Sequence, residues 1–359
     1  MLYEKIFVSL QQFFSHISMS AVYAYDKLYS RCRPLADWII RHSFRQLRYI
    51  GLERIPQDGA IIFAPNHCNA LCDALAVLVM DKNPKVFAAR ADIFRNKRQA
   101  ALLHWLKIIP IRRIRDGIDE VRKNDETIAL AVETLQHGVG FCMMPEGTHR
   151  TKHSLLPLSK GIFRIALQAA DAMDKPVYIV PVGLEYADYF RLWDALTVQI
   201  GEPIEVNTFR EQHPSLDRPQ LLLALREELT LRMRKTILWV PDDEHYEENC
   251  RKLLMDPPSP YAELRSTTFP KGWIRLFLLL SLPLFLLSAT LSLPIWLTQW
   301  AACRKVKDKA FLNSVRIVIN VLLMPLFLML PWPFWAFTQE WLYWARTLSG
   351  SKTPSNPPA

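Results

Sequence analysis

Apolar residues from position 51 to about 210 form short runs that alternate with longer segments of helical periodicity. Short buried strands that alternate with amphipathic helices are typical of an α/β domain with a largely buried mixed sheet. Strands are predicted at Ile61–Phe63, Val86–Ala89, Ile108–Ile111, Val139–Met144, Val177–Val182 and Val198–Ile200, and helices at 118–137, Ile162–Met173 and 219–238.

The first fifty residues carry apolar side chains at helical spacing, with arginines interleaved in the second half. We therefore predict N-terminal amphipathic helices over residues 1–50 and a catalytic domain over 51–238. Two arrangements are open for these helices: they pack on the domain core, or they lie on a bilayer surface. Polar residues interrupt the first apolar run, which disfavours a signal peptide.

The last third of the chain changes character. Leu276–Gln299 and Ile317–Gln339 lack charged residues and are long enough to cross a bilayer as helices. We predict a two-helix hydrophobic hairpin over 273–345, spanning or re-entrant, because prolines interrupt both segments. Two buried core helices are the alternative. The polar residues 239–272 predict a linker, and 346–359 a disordered tail.

Composition narrows the class of partner. The 359-residue chain has a formal net charge of +9 and eleven tryptophans, which suits an anionic membrane surface or anionic substrates. It carries no sequence signature of nucleic-acid binding, so we expect no nucleic-acid partner. Its six cysteines show no disulfide-framework spacing, which indicates a reducing compartment.

Candidate chemistry lies where the strand at Ile61–Phe63 gives way to a helix. Asp73 follows His67 by six residues, so the two side chains meet only if His67 lies in the turn and Asp73 in the first helical turn. A carboxylate beside imidazole Nδ1 fixes the tautomer of a histidine that takes a proton from an alcohol. The alternatives are a solvated turn histidine with a capping aspartate, and a metal site, for which no second ligand pair appears.

A second stretch, Pro145-Glu146-Gly147-Thr148-His149-Arg150, follows another predicted strand. Together with Asn66-His67 and Asp73, it resembles the glycerolipid acyltransferase family, which includes the lysophosphatidate and glycerol-3-phosphate acyltransferases. Weaker similarity at Ile109–Arg113 and Val180–Leu184 extends the resemblance from about residue 48 to 207. The chain is most similar to the branch with five residues between histidine and aspartate. It departs from the family where His149 precedes Arg150.

The resemblance implies a glycerolipid acyltransferase fold and roles for specific residues. His67 would be the general base and Asp73 the residue that orients it, while backbone N–H groups near Asn66–Asn69 would bind the oxyanion. Arginine guanidinium groups match the geometry of phosphate oxygens, so the arginines after the predicted strand at 108–111 would contact a phosphate group of the substrate. The expected substrate-binding residues are Asn66, Asn69, Arg112, Arg113, Arg115, Glu146, Gly147, Thr148, Arg150 and Lys160.

The function that follows is transfer of a fatty acyl group to a hydroxyl of a glycerol-phosphate-type acceptor, either 1-acyl-glycerol-3-phosphate or glycerol-3-phosphate. The donor would be acyl-CoA or acyl-carrier protein, with no metal and no further cofactor. The expected location is a phospholipid bilayer, the bacterial inner membrane, with the catalytic domain facing the cytoplasm. Two alternatives remain: an O-acyltransferase for an aminolipid, and a catalytically inactive membrane-anchored lipid-binding protein.

Overall fold

A computed structural model describes residues 21–111, 124–258, 261, 269–326 and 331–349 of the chain. Its strands are β1 Gln46–Ile50, β2 Ala60–Pro65, β3 Lys85–Arg90, β4 Ile108–Ile111, β5 Gly140–Cys142, β6 Val177–Tyr186, β7 Ala195–Ile200 and β8 Ile204–Glu205. Its α-helices are α1 Lys27–Arg41, α2 Leu71–Leu78, α3 Lys97–Trp105, α4 Asn124–Gln136, α5 Gly161–Ala172, α6 Val206–Gln212, α7 Arg218–Arg234, α8 Tyr246–Met255, α9 Lys271–Leu291, α10 Leu293–Cys303, α11 Leu312–Leu326 and α12 Pro331–Leu348.

One sheet organises the described residues, in the order β1-β7-β6-β2-β5-β3-β4, with β8 paired to β6. Strand β6 is antiparallel to β7 and β8, and the other pairs are parallel. The predicted mixed sheet flanked by helices is confirmed. Strand β2 lies between β5 and β6, so whatever follows its carboxyl end emerges in the middle of the sheet edge, where α/β folds commonly carry their sites.

Each face of the sheet has its own core, because successive side chains along a strand point to opposite faces. Ile62 and Ala64 of β2 face helices α4, α5 and α7, whereas Phe63 faces α1 and α2. The second core also receives Ile317 of α11 and Trp335 of α12, both fully buried. The C-terminal helices therefore pack on the same face as the helix that follows β2.

Two expectations outside the central sheet need correction. Residues 46–50, which we assigned to the N-terminal helical segment, form β1 and pair in parallel with β7. The polar segment after residue 239 is not simply a linker, because α8 lies within it. Tyr246, Cys250 and Leu254 of that helix form a small buried cluster with residues on either side. Their spacing of four residues places them on one helical face.

The two-helix hairpin stays a prediction, because the described part of 269–349 forms four helices. Within the first apolar segment α9 ends at Leu291, Ser292 intervenes, and α10 begins at Leu293. The second segment divides between α11 and α12. Among the described helices, α9 is the one that is long and apolar enough to cross a membrane, and it is mostly exposed.

The exposed apolar strip runs mainly along α9. Its opposite side contacts α12, where Phe285 stacks on Trp341 with ring centroids 4.0 Å apart. Helix α11 instead buries Asn313, Ser314 and Asn320 against the sheet domain, by which we mean the sheet and helices α1–α8. The strip comprises Trp273, Leu276, Phe277, Leu279, Leu280, Leu282, Leu284, Leu286, Leu287, Leu291, Leu293, Leu297 and Trp300.

Candidate active site

The site is built on the carboxyl end of β2. After Pro65, the backbone N–H of Asn66 still donates to Val182 O of β6 (3.2 Å). The side-chain amide of Asn66 then continues this pairing: its Oδ1 accepts from Leu184 N (2.6 Å) and its Nδ2 donates to Leu184 O (3.2 Å). Asn66 is thus committed to holding the strand end, which fixes where His67 leaves the sheet.

A tight turn reverses the chain between His67 and α2. Cys72 N donates to Asn69 O (3.0 Å), and Ala70 takes a positive φ of 47° that side-chain-bearing residues rarely adopt. Helix α2 then begins at Leu71, so Asp73 lies in its first turn. The imidazole Nδ1 of His67 is 2.8 Å from Asp73 Oδ2, as the spacing predicted.

Asp73 is fully buried, and its carboxylate receives hydrogen bonds from several directions. Oδ2 accepts from the backbone N–H groups of Cys68 (2.9 Å) and Asn69 (2.8 Å), in addition to His67. Oδ1 accepts from the hydroxyl of Tyr186 on β6 (2.9 Å). Burial raises the pKa of the Tyr186 phenol, so it remains a proton donor. These donors fix the carboxylate against one imidazole nitrogen.

The tautomer of His67 follows from this partner. A carboxylate only accepts, so Nδ1 carries the proton and Nε2 keeps its lone pair. The His67 side chain is 18% exposed whereas that of Asp73 is sealed, so the ring reaches the surface while its orienting group does not. An imidazole held this way is arranged to accept a proton from a bound hydroxyl group.

Comparison with known proteins agrees with this arrangement. Residues 46–185 match the family model described as Acyltransferase, a segment that contains β1 to β6, His67 and Asp73. This segment of the chain is therefore acyltransferase-like.

Other comparisons add less to this assignment. A solved structure of the 1-acyl-sn-glycerophosphate acyltransferase PlsC from Thermotoga maritima aligns over 64% of this chain and 95% of its own, at 16% identity and a TM-score of 0.38. No curated protein matches. The family model therefore carries the assignment.

Within the segment that matches the family, the loop from Glu146 to Arg150 is bonded to His67 at two points. The backbone N–H of His67 donates to Glu146 Oε1 (2.8 Å), and the N–H of Arg150 donates to His67 O (3.0 Å). Glu146 Oε2 accepts from Leu156 N (2.8 Å). We expected Glu146 to bind substrate hydroxyls or an arginine, but both of its oxygens accept from backbone. Burial raises the pKa of Glu146 to about 7, although the two backbone hydrogen bonds lower it.

Gly147 and Thr148 lie between the two points at which the loop is bonded to His67. Gly147 has a φ of 67°, a left-handed conformation that glycine adopts without steric cost. Thr148 is half-buried. Thr148 lies in a loop whose residues Glu146 and Arg150 are both bonded to the His67 backbone. The contact of Gly147 and Thr148 with substrate stays a prediction.

The predicted cations have different surroundings. Arg150 points toward Asp242, with which it forms an ion pair, and its NH2 donates to Ser154 Oγ (2.8 Å). Arg150 is therefore occupied by protein partners and supports the loop. Lys160 is exposed just before α5, where Ser159 N donates to Pro145 O (2.7 Å). Arg112, Arg113 and Arg115 lie outside the described residues.

Our expectation for the oxyanion donors was wrong. The four backbone N–H groups of Asn66–Asn69 donate to Val182 O, Glu146, Asp73 and Asp73 in turn. The Asn69 side chain is buried and donates to Tyr189 O (2.9 Å), so it too points into the protein. The turn at Asn66–Asn69 is a rigid support for His67, and its amides are already used.

Sequence reasoning missed several residues that surround the pair. Tyr186, on β6, binds Asp73, and no local motif marks it. His149 was noticed only as a departure from the family pattern, yet its ring centroid lies 5.5 Å from that of His67. Asp308 and Ser314 reach this region from the apolar C-terminal third. Of these residues, His149 was the one that the sequence marked, by its departure from the family pattern.

Proposed function

We propose that this protein is a membrane-bound glycerolipid acyltransferase. It moves a fatty acyl group from acyl-CoA or acyl-carrier protein to a hydroxyl of glycerol-3-phosphate or 1-acyl-glycerol-3-phosphate, as a step of phospholipid synthesis. The observation that carries the proposal is the His67–Asp73 pair, bonded at 2.8 Å within the segment that matches the acyltransferase family.

Proton transfer begins at His67. Nε2 removes the proton of the acceptor hydroxyl as its oxygen attacks the thioester carbonyl, and Asp73 stabilises the imidazolium that forms. The tetrahedral intermediate collapses, the C–S bond breaks, and the thiolate leaves. The imidazolium returns its proton to that thiolate. The reaction is balanced with no covalent acyl-enzyme.

The Glu146–Arg150 loop supports two further roles. Thr148, in the loop that is bonded to His67, offers a hydroxyl and an N–H to an oxygen of the substrate. Lys160 is an exposed cation near the same loop, suited to a phosphate group. The arginines 112, 113 and 115 remain proposed partners of that phosphate, since they follow β4 directly in the sequence.

Membrane attachment is proposed through the exposed strip of α9 and α10. A contiguous row of leucines, with Trp273 and Trp300 toward its two ends, suits lipid and its interface better than water. A basic chain is drawn to the anionic cytoplasmic leaflet, which supports an inner-membrane location with the acyltransferase domain facing the cytoplasm.

The test is acyl transfer by the purified full chain in phospholipid nanodiscs. Radiolabelled acyl-CoA and acyl-carrier protein are each offered with glycerol-3-phosphate, 1-acyl-glycerol-3-phosphate or a hydroxyl-bearing aminolipid, and products are separated by thin-layer chromatography. We expect label in a glycerol-phosphate product. His67→Ala should lower kcat by about 10³-fold, within the range typical of a lost general base.

His137→Ala is the matched control, because His137 is exposed and bonds to its own helix at Glu133 O. Its turnover should equal that of the wild type. Label in the aminolipid alone would change the acceptor and keep the chemistry. Absence of transfer to every acceptor, or full turnover by His67→Ala, would overturn the proposal and favour a lipid-binding protein.

A further inference from the structure

The C-terminal apolar third reaches the acyltransferase site through Asp308, which lies between α10 and α11. Asp308 Oδ2 is 2.7 Å from Nε2 of His149. Its other oxygen accepts from the backbone N–H of Ala310 (3.0 Å), which fixes the carboxylate on its own turn. Asp308 thereby sets the orientation of the His149 ring from outside the segment that matches the family.

His149 transmits this constraint to His67 by ring packing. The two imidazoles meet edge to face, with centroids 5.5 Å apart and planes at 79°. Phe311, three residues after Asp308, packs against His149 in the same manner, at 5.1 Å and 90°. Edge-to-face contacts favour one ring orientation. His149 is therefore fixed by Asp308 and Phe311 while it packs against the proposed general base.

Ser314 acts on the other member of the pair, from the first turn of α11. Its Oγ accepts from Cys72 N (3.1 Å) and donates to Asn69 O (3.4 Å). The first N–H groups of a helix need external acceptors, and the residue at the N-cap of α2 is Ala70, whose side chain offers none. Ser314 gives Cys72 N a side-chain acceptor in addition to Asn69 O (3.0 Å), in the first turn of the helix that carries Asp73.

Asn313 reinforces the same contact. Its Nδ2 donates to Tyr189 O (3.0 Å), the carbonyl that also accepts from the side chain of Asn69 (2.9 Å). Both asparagines and Ser314 are buried. The beginning of α11 is thus bonded to the turn between His67 and Asp73 through polar groups, which lie between the two apolar segments of the predicted hairpin.

We propose that residues 308–314 are a built-in part of the acyl-transfer site: Asp308 and Phe311 position His67 through His149, and Ser314 positions Asp73 through α2. This proposal rests on the proposed function. The three side chains are positioning residues, because none is bonded to His67 itself. They act on the geometry of the reacting pair, and so on kcat more than on substrate binding.

The experiment measures kcat and KM for donor and acceptor, with thermal unfolding, in the full chain. Asp308→Ala should lower kcat about tenfold with each KM within twofold, because the loss of one positioning hydrogen bond is of that size. Asp308→Asn keeps an oxygen acceptor for His149 and should recover most of that loss. Ser314→Ala should lower kcat about fivefold.

The control variants separate positioning from simple attachment of the C-terminal helices. Glu340 of α12 also binds the sheet domain, through Arg45 (3.0 Å) and Trp193 (3.0 Å), but none of its bonds involves the His67 turn. Glu340→Gln should lower the unfolding temperature and leave kcat within twofold. Ser292→Ala removes a buried serine hydroxyl that donates to Ser288 O in the last turn of α9, and serves as the match for Ser314→Ala.

Each outcome decides one question. An inactive wild type would defeat the proposed function. A wild type that is active, with Asp308→Ala and Ser314→Ala at full kcat, would defeat this inference alone. The inference would also be overturned if Asp308→Ala and Glu340→Gln lost equal kcat and both losses followed the fall in unfolding temperature. Residues 308–314 would then only attach the C-terminal helices. Asp308 is half-exposed, so its variants are expected to fold.

Discussion

The His67–Asp73 pair has a structural counterpart in His153–Glu185, which lies within the same domain. The distances from imidazole Nδ1 to carboxylate oxygen are nearly alike, at 2.8 and 2.9 Å, but hydrogen-bond geometry is met in the His67–Asp73 pair and not at Glu185 Oε1. Their surroundings differ: the His67 side chain is 18% exposed, whereas His153 and Glu185 are each 6% exposed. A close histidine–carboxylate contact thus occurs once at the surface and once in the interior.

The interior pair is surrounded by structural bonds. The N–H of His153 donates to the Tyr246 hydroxyl (2.9 Å), and its carbonyl accepts from Val240 N (2.6 Å). Glu185 Oε2 accepts from Leu238 N (3.1 Å). These contacts join the loop after the Glu146–Arg150 turn to the segment before α8. The comparison teaches that a histidine–carboxylate contact alone does not indicate catalysis; an accessible second nitrogen is also needed.

The largest effect that tests this contrast is expected from Asp73→Asn. The amide cannot stabilise an imidazolium, and its NH₂ group faces N–H donors that need an acceptor. We expect kcat to fall about 10³-fold, as general-base catalysis is lost. Initial rates with the purified chain measure it. Asp171→Asn is the control, because Asp171 is exposed and bonds only to Arg210 and Arg218. Retention of a tenth of the wild-type rate would contradict the assignment.

An effect of the opposite kind is expected from His153→Ala. This change leaves Glu185 buried without its partner, which costs about 3 kcal/mol of unfolding free energy. Turnover per folded molecule should stay within about twofold of the wild type. Thermal unfolding and initial rates, measured on the same preparation, separate the two quantities. The contrast between the pairs breaks down if activity is lost while unfolding is unchanged.

The smallest effect concerns Glu146, which supports the surface pair. Its pKa is about 7 in the folded chain and near 4.5 when unfolded, so the folded state binds more protons between these values. The stabilising contribution of Glu146 is therefore complete below pH 4.5 and is lost as pH rises through about 7. Relative to Glu146→Gln, the wild type should lose about 2 kcal/mol of stability from pH 5 to pH 7.

Unfolding of both proteins across that pH range measures the difference. Glu202→Gln is the control, because Glu202 is exposed beside Arg54 and should show no such slope. Parallel pH curves for the wild type and Glu146→Gln would show that Glu146 titrates as an ordinary surface carboxylate. Its two backbone contacts would then not keep it from solvent.

The reactive pair was predictable because its determinants are local. The six-residue separation, the proline before the turn and the flanking apolar runs restrict where His67 and Asp73 can lie. The supports were not predictable in this way. Tyr186 lies 113 positions from Asp73, and Glu146 lies 79 positions from His67. Their bonds depend on which strands are neighbours in the sheet.

The C-terminal third shows where hydropathy misleads. An uncharged apolar segment has the same hydropathy whether lipid or protein covers it in the folded chain. Asn313 and Asn320, one on each side of Ile317, are buried against the domain, and this polar spacing distinguishes α11 from the leucine-rich α9. The segment after 239 misleads in the opposite sense, because exposed acidic residues hide the buried face of α8.

The break at Ser292 has a consequence for the proposed attachment to a membrane. Near the start of α9, Phe269 packs on Trp344, whose indole donates to Glu340, the partner of Arg45. Beyond the end of α10, Asp308 holds His149. The residues before α9 and after α10 are thus both connected to the sheet domain. We expect α9 and α10 to enter one leaflet of the bilayer without crossing it. A soluble protease added to the far side of a sealed vesicle should therefore cleave no part of the chain.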